Sequence, residues 1–191
     1  MREIEFRTMI RITLKTGGNP ENGNDYQFDF VGGATSKGDF DFTSHRKPIS
    51  IVYEIDETNS VSDVKFVRLR DDPFLVAPQS ANCPTQKPSG RPFVGIRWES
   101  EEKKRIALLV QNANDDKKTY RYALNFVRMV EGKSIPIQCD PEIKNGEGGD
   151  PDVGYEYGDP DDEGPFGGGW GHGVGGGRPV TINIPIKIKI G

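Results

Sequence analysis

Apolar and polar residues alternate strictly over the last twelve residues of the chain, 180–191. The apolar residues of this run are all β-branched and share one face: Val180, Ile182, Ile184, Ile186, Ile188 and Ile190. Such alternation predicts a half-buried β-strand, and its eleven residues from 180 to 190 would extend for about 36 Å. Pro185 cannot donate to a sheet ladder, so the strand should lie at an edge or turn that nitrogen away from its partner. We therefore predict a long C-terminal strand that pairs with a sheet edge of its own chain or of a neighbouring copy.

Similar alternation recurs along the first 145 residues. Residues 4–14 place apolar side chains mainly at one parity and polar or charged ones at the other, which predicts a second long amphipathic strand. Five prolines between residues 71 and 92 indicate a long loop, and the charged run 99–105 indicates a turn. The predicted strands are 4–14, 26–30, 40–42, 49–55, 64–69, 93–98, 106–110, 120–127 and 135–138.

This series of short strands indicates the fold class. Many short strands separated by turns, without a helical pattern between them, are typical of a β-sandwich. Alternation also implies one solvated face for each sheet, which argues against a parallel sheet covered on both faces. We predict an all-β fold, an antiparallel immunoglobulin-like β-sandwich with a Gly-rich tether and a long C-terminal β-strand.

The composition changes abruptly after residue 145. In residues 146–179, 14 of 34 residues are glycine, and eight are acidic against the single basic Arg178. Few apolar groups remain to offset the entropy of ordering such a segment, so we expect a flexible tether. The predicted organisation is a β-sandwich domain (1–145), a Gly/Asp-rich tether (146–179) and an amphipathic C-terminal strand (180–191).

Charge and hydropathy limit the classes of partner. A formal net charge of −4 argues against nucleic-acid binding, which calls for a basic stripe. No window offers the ~20 consecutive apolar residues of a membrane span. The N-terminus has no uncharged apolar region typical of a signal peptide, which favours the cytoplasm, while an extracellular or virion location remains open. In a reducing compartment, Cys83 and Cys139 are expected to be buried thiols, with one disulfide as the alternative.

A possible structural corner lies in residues 114–122. Asp116 and Tyr120 are four residues apart, and Tyr122 follows on the same face. Immunoglobulin-type sandwiches carry an Asp-x-Gly-x-Tyr-x-Cys run here, whose tyrosine ties a strand to the preceding loop. In this chain Lys118 replaces the glycine and Tyr122 replaces the cysteine. The alternative is a plain hairpin that joins 106–110 to 120–127.

Residues 106–145 also resemble the small bacterial proteins of the DP-EP family. A strand pair is followed by a strand that ends in Asp-Pro-x-Ile-x-Asn, and the resemblance depends on Tyr120, Tyr122, Asp140, Pro141, Ile143 and Asn145. The Glu-Pro pair in the family's name has no clear match in this chain. The resemblance implies a compact β domain and supplies no catalytic residues.

Two parts of the tether could hold a metal ion. Asp159, Asp161 and Glu163 stand at the first, third and fifth places of an EF-hand-like loop, which implies calcium, but the twelfth place is Trp170 instead of a bidentate glutamate. His172 lies in a Gly- and Trp-rich run that resembles the histidines of prion octarepeats, which implies copper. The simpler interpretation of the three carboxylates is a solvated acidic spacer. The alternative for the run around His172 is that its glycines and one aromatic residue let the tether lie flat on a neighbour, so we expect no cofactor.

The sequence contains no catalytic motif of a common class. Its histidines are His45 and His172, and neither a nucleophile elbow nor a phosphate-binding loop is present. We therefore expect a non-enzymatic structural protein, a homo-oligomer or filament subunit joined by exchange of the C-terminal strand. The alternatives are a monomeric binding module with that strand paired in cis, and a phage or viral structural subunit.

Overall fold

The computed structural model describes residues 4–79, 84, 86–88, 92–139 and 141–146. These residues form strands, with two short 3₁₀ turns at Gly23–Asp25 and Leu69–Asp71, so the all-β prediction is confirmed. The tether beyond Gly146 and the C-terminal strand lie outside the described residues, as do Cys83 and Asp140. The strands are β1 (Ile4–Leu14), β2 (Tyr26–Gly32), β3 (Phe40–Asp41), β4 (Ile49–Ile55), β5 (Val64–Phe66), β6 (Phe74–Pro78), β7 (Phe93–Trp98), β8 (Ala107–Asn112), β9 (Thr119–Val130), β10 (Lys133–Cys139) and β11 (Glu142–Lys144).

The first sheet has the strand order β2-β1-β4-β8-β7. In it β1 pairs antiparallel with β2 and parallel with β4, where Ile4 lies opposite Ile49 and Ile10 opposite Ile55. The pairings of β4 with β8 and of β8 with β7 are antiparallel. A β-bulge between Phe93 and Gly95 interrupts the last pairing.

The second sheet is built around β9, whose twelve residues are long enough to pair with two strands on each side. On one side β9 pairs with β10 and β11, and on the other with β5 and β6. The tight turn from β9 to β10 passes through Glu131 and Gly132, both at positive φ, as a type I′ turn requires. β3 pairs in parallel with β11 and extends the sheet.

Two parallel pairings make both sheets mixed, so the prediction of a wholly antiparallel sandwich is wrong in this respect. After β2 the chain enters the second sheet as β3 and returns to the first sheet as β4, on the opposite side of β1 from β2. Because of this crossover, β4 runs in the direction of β1. Alternation of apolar residues reveals the buried face of a strand, but it carries no information about the direction of its neighbour.

The predicted hairpin between residues 106–110 and 120–127 does not form. β8 pairs with β4 and β7 in the first sheet, whereas β9 is the central strand of the second sheet. The segment between them therefore crosses from one sheet to the other at one end of the sandwich. The predicted loop at 71–92 also contains a strand, β6, which ends at Pro78 and leaves its other ladder positions able to bond.

Both sheets turn their apolar faces towards one shared core. Tyr53, Phe66, Phe74, Tyr122 and Phe126 are fully buried, and their rings contact one another at centroid distances such as 4.7 Å for Phe66 and Phe126. Burial of a large apolar side chain contributes about 1.5–3 kcal/mol. The inner faces of the two sheets therefore cover each other and form one core.

A charged network covers part of the outer face of the first sheet. Arg7 of β1 bonds Glu54 of β4 at 2.8 Å and Glu99 after β7 at 2.7 Å, and Lys103 bonds Glu54 at 2.7 Å. Burial disfavours ionisation of Glu54, but the hydrogen bonds from Lys103 and Arg7 outweigh it and lower the pKa of this carboxyl. A small buried apolar cluster of Val52, Ala107 and Leu109 lies on the same side of this sheet.

Candidate functional site

Three buried asparagines meet where the chain leaves the sandwich. Asn112 is the last residue of β8, Asn114 lies in the crossover to β9, and Asn145 follows β11. Each has no more than 2% of its surface exposed. Since buried polar side chains are costly unless hydrogen-bonded, this asparagine cluster is expected to be fully bonded.

The asparagine cluster forms a continuous chain of hydrogen bonds. The Asn112 side chain donates through Nδ2 to Oδ1 of Asn145 at 2.7 Å and accepts through Oδ1 from the backbone N–H of Asn114 at 2.9 Å. The Asn114 Oδ1 accepts from the backbone N–H of Gly146 at 2.5 Å. The amides therefore join the end of β8, the crossover and the residues after β11.

Asn114 also links the crossover to the loop before β4. Its Nδ2 donates to the carbonyl of His45 at 3.0 Å, with longer contacts to those of Phe42 and Lys47. Its backbone has φ of +54°, a left-handed conformation that asparagine adopts more readily than most residues. Asn114 thus adopts the left-handed backbone of the crossover and forms hydrogen bonds through three buried groups, its backbone N–H, its Nδ2 and its Oδ1.

The residues of the predicted structural corner lie beside this cluster. The Tyr120 hydroxyl donates to Oδ2 of Asp116, and the Oδ1 of Asp116 accepts from Asn145 Nδ2 at 3.1 Å and from the backbone of Lys118 at 3.2 Å. The bond of Tyr120 joins two side chains, whereas the immunoglobulin motif bonds to backbone. Partial burial, then the hydrogen bond to Asp116 and the nearby negative charges, raise the pKa of Tyr120. Its role as a structural corner stays a prediction.

Glycine at position 146 is required by close backbone approach. A Cβ at this position would lie 2.5 Å from the carbonyl oxygen of Phe42 and 2.7 Å from that of His45. The Gly146 carbonyl in turn accepts from the backbone N–H of Lys117 at 3.3 Å, and the N–H of Asn145 donates to the carbonyl of Lys118 at 2.9 Å. The backbone of residues 145 and 146 is therefore fixed in position by contacts with the loop before β4 and with the crossover.

Exposed basic residues surround this exit point. We call them the exit rim: Arg46, Lys47, Lys117, Lys118 and Lys144. A depression of about 330 Å³ is lined by two of them, Arg46 and Lys117, together with Thr43, Asn145 and Gly146. The nearby acidic groups are the exposed Asp41 and the partly buried Asp115 and Asp116. Hydrogen bonds from Thr43, then the charges of Lys144 and His45, lower the pKa of Asp41.

The outer edge of β7 is a second feature with functional potential. The N–H of Glu99 donates to the carbonyl of Ala107, so Gly95 and Arg97, which share the parity of Glu99 after the bulge, direct their backbone groups towards β8. The alternation of an antiparallel ladder then turns the backbone groups of Ile96 and Trp98 outwards. Within the described ranges these two residues have no backbone partner on that side. Their side chains are buried on the inner face.

A shallow depression on the outer face of the second sheet exposes Met129. It has a volume of about 530 Å³ and combines apolar residues such as Val127 and Pro136 with the charged Lys65 and Arg68. Met129 is 49% exposed, the highest value for a large apolar residue in the described part of the chain. Single exposed apolar residues are common on protein surfaces, so this depression does not by itself indicate a ligand.

The predicted metal and assembly residues lie outside the described ranges. This applies to Asp159, Asp161, Glu163 and His172, and to the whole C-terminal strand from Val180 to Ile190. Among the residues that the structure does describe, no group of three or more His, Cys, Asp or Glu side chains could hold a metal ion. His45 contacts the rings of Phe6 and Phe42 at centroid distances of 5.2 and 6.3 Å, which is an apolar setting for a general base.

Two members of the asparagine cluster are not predicted by the sequence pattern. In the expected hairpin between 106–110 and 120–127, Asn112 and Asn114 would lie in the turn, where asparagine is frequent. Asn145 is singled out in the sequence only as a residue of the DP-EP resemblance. The available signal was the spacing of Asn112, Asn114 and Asp116 directly after an apolar strand, but burial of these side chains depends on strands far away in the sequence.

Comparisons with known proteins assign no family to this chain. No protein-family model matches it, and no curated protein matches it. A similar solved structure is that of the inclusion body protein PixA from Burkholderia cenocepacia J2315, with 7% sequence identity and a TM-score of 0.36, covering 76% of this chain and 98% of that chain. This similarity is that of distant β proteins and carries no argument about function. The resemblance to the DP-EP family stays a prediction from the sequence.

One further property of the described residues concerns membranes. None of their helical segments has the length and apolar character that crossing a lipid bilayer requires.

Proposed function

We propose that this protein is a non-enzymatic, cofactor-independent structural protein that self-associates in the cytoplasm by strand exchange. The C-terminal strand of one copy, 180–190, adds to the outer edge of β7 in the next copy. The observation that carries this proposal is the unpaired outward backbone of Ile96 and Trp98 within the described residues. A strand with unpaired N–H and C=O groups is a ready template for another strand.

The position of Pro185 is compatible with this edge. Residues of one parity in a strand share both the face of their side chains and the direction of their backbone groups. Pro185 has no N–H, so the backbone groups of Pro185 must point away from the acceptor strand. The backbone groups of Ile184 and Ile186 then point towards the acceptor strand and bond to it. In an antiparallel pairing, these isoleucines would lie opposite Ile96 and Trp98 on the inner face, where they extend the apolar layer.

Other sheet edges fit the C-terminal strand less well. The outward backbone groups of β10 belong to Ser134, Pro136 and Gln138, because the ladder directs Ile135 and Ile137 towards β9. If Ile184 and Ile186 bonded to these groups of β10, their side chains would lie on the outer face of the sheet. At the β2 edge, the N–H of Phe30 already donates to the carbonyl of Ser36. The edge of β7 is therefore a better acceptor for this strand than the edge of β10 or of β2.

The immunoglobulin-like character of the sandwich is part of the same proposal. It is supported by two sheets with a shared core, by the buried Trp98 and by the bond between Tyr120 and Asp116 at the start of β9. The parallel pairing of β1 with β4 is a departure from an all-antiparallel arrangement. An experimentally determined strand order tests this assignment.

Substitutions on opposite faces of the C-terminal strand test strand exchange. Ile184→Asp with Ile188→Asp places two charges on the apolar face, where unpaired burial is costly. Thr181→Asp with Asn183→Asp adds the same charge to the polar face and serves as the control. Sedimentation velocity over a dilution series should show monomers for the first variant and assemblies for the control. An assembly that survives in the first variant would refute strand exchange, and a destabilised monomer of unchanged size would indicate pairing in cis.

A second pair of variants tests the acceptor edge. Ile96→Pro removes the outward N–H of β7, whereas Ile96→Ala truncates the same side chain and keeps that N–H. We expect the proline variant to weaken association well beyond the alanine variant, provided that circular dichroism shows both to be folded. Equal association of the two folded variants would exclude β7 as the acceptor.

A further inference from the structure

We infer that the exit rim binds the acidic segment 147–163 of the same chain. This segment, which we name the acidic segment, begins directly after Gly146 and carries eight acidic residues and no basic residue among its 17 positions. The exit rim presents five exposed cations at the point where the segment starts. The acidic segment is the expected occupant of the exit rim because it has the opposite charge, begins beside the rim and is covalently attached to it.

The exit rim is more positively charged than residues 1–146 taken as a whole. Residues 1–146 contain 22 basic and 21 acidic residues, so they are almost neutral, whereas the acidic segment carries eight negative charges. Five of these 22 cations lie in the exit rim, with Asp41, Asp115 and Asp116 as the neighbouring anions. Asp116 is engaged by Tyr120 and Asn145. These bonds come from neutral groups and leave the charge of Asp116 unchanged, but five cations against three anions still give the rim a net positive charge next to the most acidic part of the sequence.

Backbone contacts fix the loops that carry the cations of the exit rim. The carbonyls of His45 and Lys47 accept from Asn114 Nδ2, at 3.0 Å and 3.4 Å, which positions the loop that carries Arg46. The N–H of Phe42 donates to the carbonyl of Lys144 at 2.8 Å. The depression of about 330 Å³ lies between these loops and reaches Gly146. The backbone of the site is therefore preorganised, and its long side chains extend from fixed positions.

The energetic balance predicts weak and salt-sensitive docking. An exposed ion pair contributes about 0.2–1 kcal/mol, so docking requires several pairs formed together. Covalent attachment at Gly146 raises the effective concentration of the acidic segment and favours it over a segment from another copy. When the acidic segment is docked, only residues 164–179 remain as the span to the C-terminal strand. Docking would thus shorten the span over which that strand can search for an edge.

Cleavage by a glutamyl endopeptidase tests this inference in the full-length chain. The acidic segment contains three cleavage sites, after Glu147, Glu156 and Glu163, and docking should slow cleavage at them. The variant Arg46→Gln with Lys144→Gln removes two rim charges. The control Lys65→Gln with Arg68→Gln removes two exposed charges on and directly after β5, away from the exit rim and from the edge of β7. Neither variant adds or removes a cleavage site, and circular dichroism with thermal unfolding checks that both remain folded.

The expected result depends on both charge and salt. At low ionic strength, the rim variant should be cleaved in the acidic segment about threefold faster than the wild-type and control proteins, and about 0.5 M NaCl should abolish this difference by screening. Equal cleavage of all three proteins at low salt would overturn the inference. If dilution of the wild-type protein abolished the protection of the acidic segment from cleavage, the inference would also be overturned. Such a result would show that the segment docks on the exit rim of another copy. The oligomeric state is measured separately, so this outcome is distinguishable from failure of strand exchange.

Discussion

Asn114 is the residue whose substitution tests the asparagine cluster most directly. Its Oδ1 accepts from the N–H of Gly146 at 2.5 Å, and its Nδ2 donates to the carbonyl of His45 at 3.0 Å. The side chain is fully buried, and the backbone has φ of +54°. Asn114→Ala removes the hydrogen bonds and leaves a Cβ on a left-handed backbone. Asn114→Gly removes the same bonds but tolerates that backbone conformation.

The two variants separate the hydrogen-bonding effect from the backbone effect. A buried donor or acceptor left without its partner costs about 1–3 kcal/mol. Because the N–H of Gly146 and the carbonyl of His45 both lose a partner, the glycine variant should lose about 2–6 kcal/mol of unfolding free energy. Alanine should lose a further ~1 kcal/mol, since only glycine adopts the left-handed region without steric cost.

Urea denaturation at constant pH and protein concentration measures both values. The order of stability should be wild type, then Asn114→Gly, then Asn114→Ala, with unchanged dependence of the unfolding free energy on urea. A loss below about 0.5 kcal/mol in the glycine variant would refute the reasoning, because it would show that the cluster does not hold the end of the sandwich. Equal stability of the two variants would refute the contribution of the backbone conformation.

Two other predictions use the tyrosines of β9 and the charged network. Tyr122→Phe should destabilise the protein by about 1–3 kcal/mol, because it leaves the buried carbonyl of Gly38, bonded at 2.6 Å, without its donor. Tyr120→Phe should cost only ~0.5–1.5 kcal/mol, because Tyr120 is partly exposed to water; denaturation midpoints in the opposite order would contradict this assignment. The pKa of Glu54 is lowered on folding, so its stabilising effect is present above its ordinary pKa and is lost as the pH falls through the folded value. Glu54→Gln should therefore make the unfolding free energy less dependent on pH below about 4.5, as followed by thermal unfolding over a pH series; an unchanged dependence would exclude Glu54 as a source of acid sensitivity.

Several strands were predictable from the sequence alone. Residues 4–14, 49–55 and 93–98 are strands with the predicted bounds, because their apolar residues alternate and turn-forming residues follow or precede them. The parity of β1 also predicted its buried face, as Ile10 and Ile12 demonstrate, whereas β4 and β8 are buried on both faces. These features are local: a side-chain period of two and the conformational preferences of glycine and proline suffice to determine them.

Only the tertiary structure decided which strands are neighbours and which polar residues are buried. The residues after β8 could begin a hairpin or a crossover, and the choice depends on partners as distant in sequence as Phe42, His45 and Asn145. The same long-range pairing made β4 parallel to β1 and allowed β6 to form among prolines. A sequence pattern records the preference of each residue for water or for an apolar setting. The partner that satisfies a buried amide is specified by the packing of both sheets, and for this reason the asparagine cluster became visible only in the folded chain.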